Sequence, residues 1–216
     1  MPEIIFDCDA VLCDMDGTLV DSTASVERQW RRWAARHGLD PEPILKVAHG
    51  RRALETMREM APHLASDADA TRFDEEEAQD REGVAAIAGA AKFLADLPAS
   101  RWAVVTSANR PLAIDRLATA GLAVPDILVG ADEVVRGKPD PEGFLLAARL
   151  LGVSPDRCLV IEDTPPGLRA GRAAGMQLLA MATTYAPAML EGEPWIVDFT
   201  AVRVTTSPLR IHVQTV

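Results

Sequence analysis

The chain reads as an α/β protein built on a doubly wound parallel sheet, and three observations predict this. Five short apolar runs are continuous rather than alternating, as strands buried on both faces require. Helical patterns separate most of these runs, the order expected of βαβ units. One stretch, residues 22–84, departs from the alternation with helical patterns and no convincing strand.

Taken in order, the runs are AVLCDM (10–15), WAVVTS (102–107), DILVGA (126–131), CLVIED (158–163) and QLLAMA (177–182). The helical patterns cover 85–97, 111–121, 143–152 and 166–175. Together they predict a Rossmann-like core formed by residues 1–21 and 85–216, with an all-helical segment, 22–84, inserted after the first core strand. Within that segment Val26, Trp30, Trp33 and His37 fall on one helical stripe, with Arg28, Arg31, Arg32 and Arg36 mostly off it. Residues 67–82 hold eight carboxylates. As a calcium loop they fail, because Arg72 stands where a glycine is needed and Ala78 where the last acidic ligand belongs. A solvated helix face is the expectation. Gly167, Gly171 and Gly175 recur every fourth residue, which predicts close packing of a helix on the sheet. The last twenty-odd residues hold two β-rich runs around Ser207-Pro208, a hairpin beside which EIIF (3–6) is expected as a third strand.

Composition bounds the function. With 216 residues, 48% of them apolar, the chain suits one good-sized domain carrying an insertion. A formal charge of −10 argues against nucleic acid as a partner, but not against a phosphorylated small molecule, because a metal ion and one lysine can reverse the local field. No export signal and no membrane-length apolar run is present, so membrane partners are not expected. Cys8, Cys13 and Cys158 do not make a disulfide framework or a zinc site. Reduced buried thiols, a cytoplasmic location and a monomer are the expectations.

In open parallel sheets ligands bind beyond the carboxyl ends of the strands. There the first run delivers Asp14-Met-Asp16-Gly17-Thr18, and the second Thr106-Ser107-Ala108-Asn109. Lys138 follows the third, and the fourth ends in Glu162-Asp163. Carboxylates, a hydroxyl and a lysine on one rim form a magnesium site with a nucleophile and donors for a transferring phosphoryl group. Taken singly, each has a plainer reading: a strand terminus for Thr106, a solvated turn for Lys138, a helix N-cap for Glu162 and Asp163. A second Asp-x-Asp pair, Asp7/Asp9, is followed by Ala10-Val11 and lacks the glycine turn that follows Asp16, so it reads as polar residues on a connection.

The stretches CDMDGTLVDS, VVTSAN, GKPDPEGF and VIEDTPPGLRAG, in this order, resemble the haloacid dehalogenase superfamily, in its phosphatase branch with a helical cap inserted after the first motif. The resemblance spans essentially the whole chain. It implies Asp14 as nucleophile, forming an aspartyl-phosphate, and Asp16 as general acid and then base. It implies magnesium (Mg2+) held by Asp14, the Asp16 carbonyl and the Glu162/Asp163 pair, with Asp163 the surer direct ligand. Thr106 and Lys138 would contact the phosphoryl oxygens, and Ser107 and Asn109 are candidate substrate contacts beside them.

Within that superfamily, dehalogenases and phosphonate-cleaving members lack the second aspartate, and the latter use a cap lysine; here Asp16 is present and Lys46 is the only lysine of the segment. Hexose-phosphate mutases of similar build usually carry histidine twelve residues after the nucleophile, where this chain has Val26. Hydrolysis of a phosphate monoester is therefore expected, with a mutase or a non-catalytic binding protein as alternatives. The segment HGRRALETM (49–57) resembles that of sugar- and polyol-phosphate phosphatases, 2-deoxyglucose-6-phosphate and glycerol-phosphate phosphatases among them. It offers His49, Arg51 and Arg52 as substrate contacts, or else a solvated, partly ion-paired helix start.

Overall fold

The computed structural model describes residues 3–214. The chain opens with β1 (Glu3–Asp7), β2 (Ala10–Cys13) and the short β3 (Val20–Asp21). Four helices follow: α1 (Thr23–His37), α2 (Pro41–Ala48), α3 (Ala53–Met60) and α4 (Asp67–Glu77). Next come β4 (Ala85–Ala86), α5 (Ala90–Asp96), β5 (Trp102–Val105), α6 (Arg110–Thr119) and β6 (Leu128–Val129). The remainder is α7 (Glu142–Leu151), β7 (Cys158–Glu162), α8 (Pro165–Ala173), β8 (Gln177–Met181), β9 (Trp195–Ile196), β10 (Val202–Thr206) and β11 (Leu209–Gln214).

Six strands form a wholly parallel sheet in the order β6-β5-β2-β7-β8-β9. The predicted doubly wound α/β class is therefore correct. From β2 the chain winds outward through β5 and β6, then returns to β7 on the other side, which puts the topological switch at β2. The central strands β2, β5 and β7 are buried at every position, matching their unbroken apolar character. One apolar cluster fills each face of the sheet, one including Val11, Cys13, Val104 and Ile161, the other Leu12, Val105, Val160 and Phe144.

Details depart from the sequence reading where the signal is short. The run DILVGA yields only two strand residues, and β9 was not expected at all, since Trp195-Ile196 is too brief to register as a strand. The helical pattern 85–97 begins as β4, which pairs antiparallel with β3 and draws the two ends of the helical segment together. The three recurring glycines also divide: a side chain at Gly167 would strike Glu162 and one at Gly171 would strike Leu178 and Val160 of the sheet, whereas Gly175, at φ 75°, lies just past the end of α8 in open space.

Helices α1 to α4 bury an apolar cluster of their own around Trp30, Trp33, Met57 and Phe73. Trp33 is fully buried, and its indole donates to Asp69 Oδ2 at 2.8 Å. The acid-rich stretch is indeed helical as α4, but not wholly solvated: Glu77 is buried and Asp74 half-buried. They share a face with Ala70 and Phe73.

The terminal strands form a separate antiparallel sheet, β1-β11-β10, the hairpin and third strand expected from the sequence. Asp7 and Asp9 lie at the amino end of β2, where both accept from Arg157 on the surface. Asp14 lies at the carboxyl end of the same strand, roughly 16 Å of extended chain away. The three cysteines are buried and unbridged, and among the described residues no helix is long and apolar enough to cross a membrane.

Candidate active site

The cleft beyond the carboxyl ends of β2, β5 and β7 gathers most of the residues singled out in the sequence. Asp14, Asp16, Thr106, Ser107 and Asp163 line one cavity, roofed by His49 and Arg51 from the helical segment. The turn after β2 brings the carboxylates close because Gly17 takes φ 80° and has no side chain. A Cβ there would stand 2.0 Å from Asp163 Oδ2 and 2.5 Å from Thr184 Oγ1. Thr18 Oγ1 donates to the other oxygen of Asp163, Oδ1, at 3.3 Å.

Lys138 enters from the loop after β6 and is buried. Its ammonium donates to Asp14 Oδ1 and, at 2.8 Å, to Glu162 Oε1. Burial opposes the lysine's charge, but the two carboxylates outweigh it and hold its pKa above the ordinary value. Burial pushes the Asp14 carboxyl up to about 7, with Lys138 pulling it down and Glu162 pushing it further up. Asp163 is likewise driven well above the carboxylate range by burial and by the charges of Glu162 and Asp14. Three buried carboxylates against one ammonium leave an excess of negative charge.

A hard cation fits that excess. One oxygen from each of Asp14, Glu162 and Asp163 lies within 4.8 Å of the others, an all-oxygen set. The three are not equally free. Glu162 Oε1 accepts from Lys138, and Oε2 accepts from the Thr164 amide at 2.5 Å and its hydroxyl at 2.9 Å. Glu162 therefore orients the lysine, and Asp14 and Asp163 are the carboxylates that face the cavity.

Other candidates are placed less directly. His49 lines the cavity, and burial lowers its pKa. Arg51 lines it too, while its guanidinium donates to Glu59 at 2.5 Å. Ser107 Oγ donates to the Gly50 carbonyl at 2.9 Å, joining the core to the helical segment. Arg52 does not line this cavity; its guanidinium donates to the carbonyls of Val134 and Val135, so it braces the loop that carries Lys138. Asn109 is also occupied, capping α6 through the Leu112 amide and donating to Asp74 Oδ2. Lys46 is exposed.

Arg116, Asp74, Glu77 and Thr184 escaped the sequence reading, and all four line the cavity. Arg116 on α6 places Nη1 2.8 Å from Asp16 Oδ2 and Nη2 2.8 Å from Glu77 Oε1. Ser22 donates to the other Asp16 oxygen at 2.6 Å. A signal for Glu77 existed in the stripe Ala70-Phe73-Glu77, which places it on the apolar face of α4. Arg116 offered no such cue, since one arginine in an amphipathic helix reads as surface.

A parallel sheet with a carboxylate nucleophile candidate at its switch point and a buried lysine beside it defines a class of hydrolases. The family model for haloacid dehalogenase-like hydrolase matches residues 8–175. The chain is 42% identical over 207 residues to hexitol phosphatase A of Escherichia coli (strain K12), covering 93% of this chain and 96% of that one. It is 32% identical to 2-deoxyglucose-6-phosphate phosphatase 2 of Saccharomyces cerevisiae, over 94% of this chain and 92% of the other. A solved family hydrolase from Deinococcus radiodurans R1, with bound phosphate and sodium, superposes with TM-score 0.66 at 30% identity, covering 89% and 91% of the two chains. The chain belongs to the haloacid dehalogenase-like hydrolase family, among its phosphatases.

Proposed function

We propose that the protein is a magnesium-dependent phosphomonoesterase acting on a sugar or polyol phosphate through an aspartyl-phosphate on Asp14, with residues 22–84 as its cap. The observation that carries this reading is the buried cluster of Asp14, Asp163 and Glu162 around Lys138 at the switch point. The phosphatase names of the relatives support the substrate class.

Magnesium, held by Asp14, Asp163 and the Asp16 carbonyl, would supply charge neutralisation for the transferring phosphoryl group. Asp14 would attack phosphorus through one carboxylate oxygen while the ester oxygen leaves with its bonding pair. Asp16 would give that alkoxide a proton, then take one from the water that attacks the aspartyl-phosphate. The water oxygen ends on the released phosphate and Asp14 is restored. Thr106 and Lys138 would donate to the phosphoryl oxygens as charge develops, with Glu162 keeping the lysine aimed. Val26 lines the cavity where the mutase resemblance asks for histidine, which favours hydrolysis over transfer within a sugar. The buried, unbridged cysteines suit a reducing, cytoplasmic setting.

Magnesium-dependent release of phosphate from p-nitrophenyl phosphate, followed by a panel of sugar, polyol and nucleotide monophosphates, tests the reading. Full activity in excess chelator, or accumulation of an isomeric sugar phosphate without free phosphate, would refute it.

A further inference from the structure

The cavity has a second set of polar groups, beyond those assigned to the metal and the phosphoryl group. Asp74 and Glu77 of α4 and Arg116 of α6 line it together with the rings of Trp30 and Phe73, whose centroids are 4.4 Å apart. Asp74 accepts a hydrogen bond from Asn109 through Oδ2 at 3.0 Å; among the described residues Oδ1 has no partner. Arg116 is 95% buried, and its Nη2, although near Glu77, makes no well-angled hydrogen bond. An apolar wall, two carboxylates with spare acceptor oxygens and one underused donor suit a ligand presenting C–H faces and hydroxyls. The formal charge of Asp74, Glu77 and Arg116 together is negative, and Asp16 beside them adds to it.

We propose that Asp74, fixed by Asn109 and flanked by the Glu77–Arg116 pair, recognises the organic tail of the substrate, accepting hydrogen bonds from its hydroxyls and excluding phosphate esters with a second negative charge. The proposal rests on the phosphatase reading and deepens it. A hydroxyl donates to a buried carboxylate at little cost, whereas a second phosphate or a carboxylate in the same place meets like charge in a medium that screens it poorly. Burial pushes the Asp74 carboxyl up to about 6 against the pull of Asn109 and Arg116, so the group is still an anion at neutral pH. Discrimination of this kind is lost when the buried acceptor is neutralised.

The experiment measures kcat/KM with magnesium for sorbitol 6-phosphate, phosphoglycolate and fructose 1,6-bisphosphate, in the full chain and in Asp74→Asn, with Asp74→Ser as a second variant. The wild type is expected to favour sorbitol 6-phosphate over both anionic-tailed esters by about tenfold or more. In Asp74→Asn the ratio of sorbitol 6-phosphate to phosphoglycolate should fall by about 10- to 100-fold, the worth of a hydrogen bond to a charged group. A purely structural role would lower both substrates together and leave the ratio alone, and that result overturns the proposal. So does a wild type that takes fructose 1,6-bisphosphate as readily as sorbitol 6-phosphate, a measurement that needs no variant. Failure to release phosphate even from p-nitrophenyl phosphate is a different result, and removes the phosphatase reading itself.

Discussion

Arg116 reaches Asp16 across one hundred residues of sequence, with Nη1 2.8 Å from Oδ2. The same guanidinium faces Glu77 of α4, so one side chain ties the proposed acid to the helical segment above it. Arg116→Met should therefore disturb the placement of Asp16. Turnover of esters with poor leaving groups should fall about 10- to 100-fold more than that of p-nitrophenyl phosphate, since general acid catalysis is worth about 10²–10⁴-fold and a good leaving group needs less of it. Asp16→Asn should show the same pattern more strongly, and Arg116→Lys should recover part of it. Stability should fall by about 3–5 kcal/mol in Arg116→Met, which strands a buried Glu77. Adding Glu77→Gln should restore stability, read by denaturant unfolding, but not the leaving-group effect.

The two Asp-x-Asp pairs should separate cleanly. Asp14→Asn should abolish turnover, because an amide is a far poorer nucleophile and a weaker metal ligand. Asp9→Asn should leave kcat/KM nearly intact, since its carboxylate pairs with Arg157 on the surface at the other end of β2. Steady-state kinetics of both variants decides this.

Metal binding should appear in stability as well as in rate, because a ligand that binds only the folded chain raises Tm. Magnesium is expected to raise the Tm of the wild type and to do so much less in Asp163→Asn. Calcium, which takes more ligands in looser geometry, should stabilise while supporting turnover poorly.

The magnesium effect should also grow with pH. Asp14 has its pKa raised to about 7 in the fold, so the protonated form is favoured there more than in the unfolded chain. That contribution is fully present below the ordinary value near 4 and is lost as pH rises through about 7. A cation replaces the missing proton on the carboxylate. The rise in Tm on adding magnesium should thus be larger at about pH 8 than at about pH 5.5, and a flat profile would contradict the placement of the metal on Asp14.

Removing Glu162's charge should act through Lys138. In Glu162→Gln the ammonium keeps Asp14 but loses its second carboxylate, so kcat should fall with a smaller change in KM. Lys138→Met should be worse, by about 10²–10³-fold in kcat, the worth of a preorganised donor to a developing charge.

Much of this was legible in the chain itself. The parallel sheet shows as runs such as CLVIE and WAVV because strands buried on both faces admit no polar alternation. The proximal site shows as the residues just past those runs. What did not show has common physical causes. Strands of two residues, such as Trp195-Ile196, carry no period. Glu77 sits in a run of acidic residues that differ in burial but look alike in sequence, and only its register on α4 marks it as buried. The reach of Arg52 to Val134 and Val135 depends on how two distant loops approach, which local spacing does not encode.

The pairing of β1 with β11 has a consequence for biosynthesis. Glu3 to Asp7 leave the ribosome long before their partners, Arg210 to Gln214, are made. Ile211 and Val213 are fully buried in the same apolar cluster as Cys13 and Val104. Until they arrive, the nascent chain carries an unpaired strand edge and an open floor beneath the strand that bears Asp14, the interval in which a growing polypeptide is most open to pairing with its neighbours.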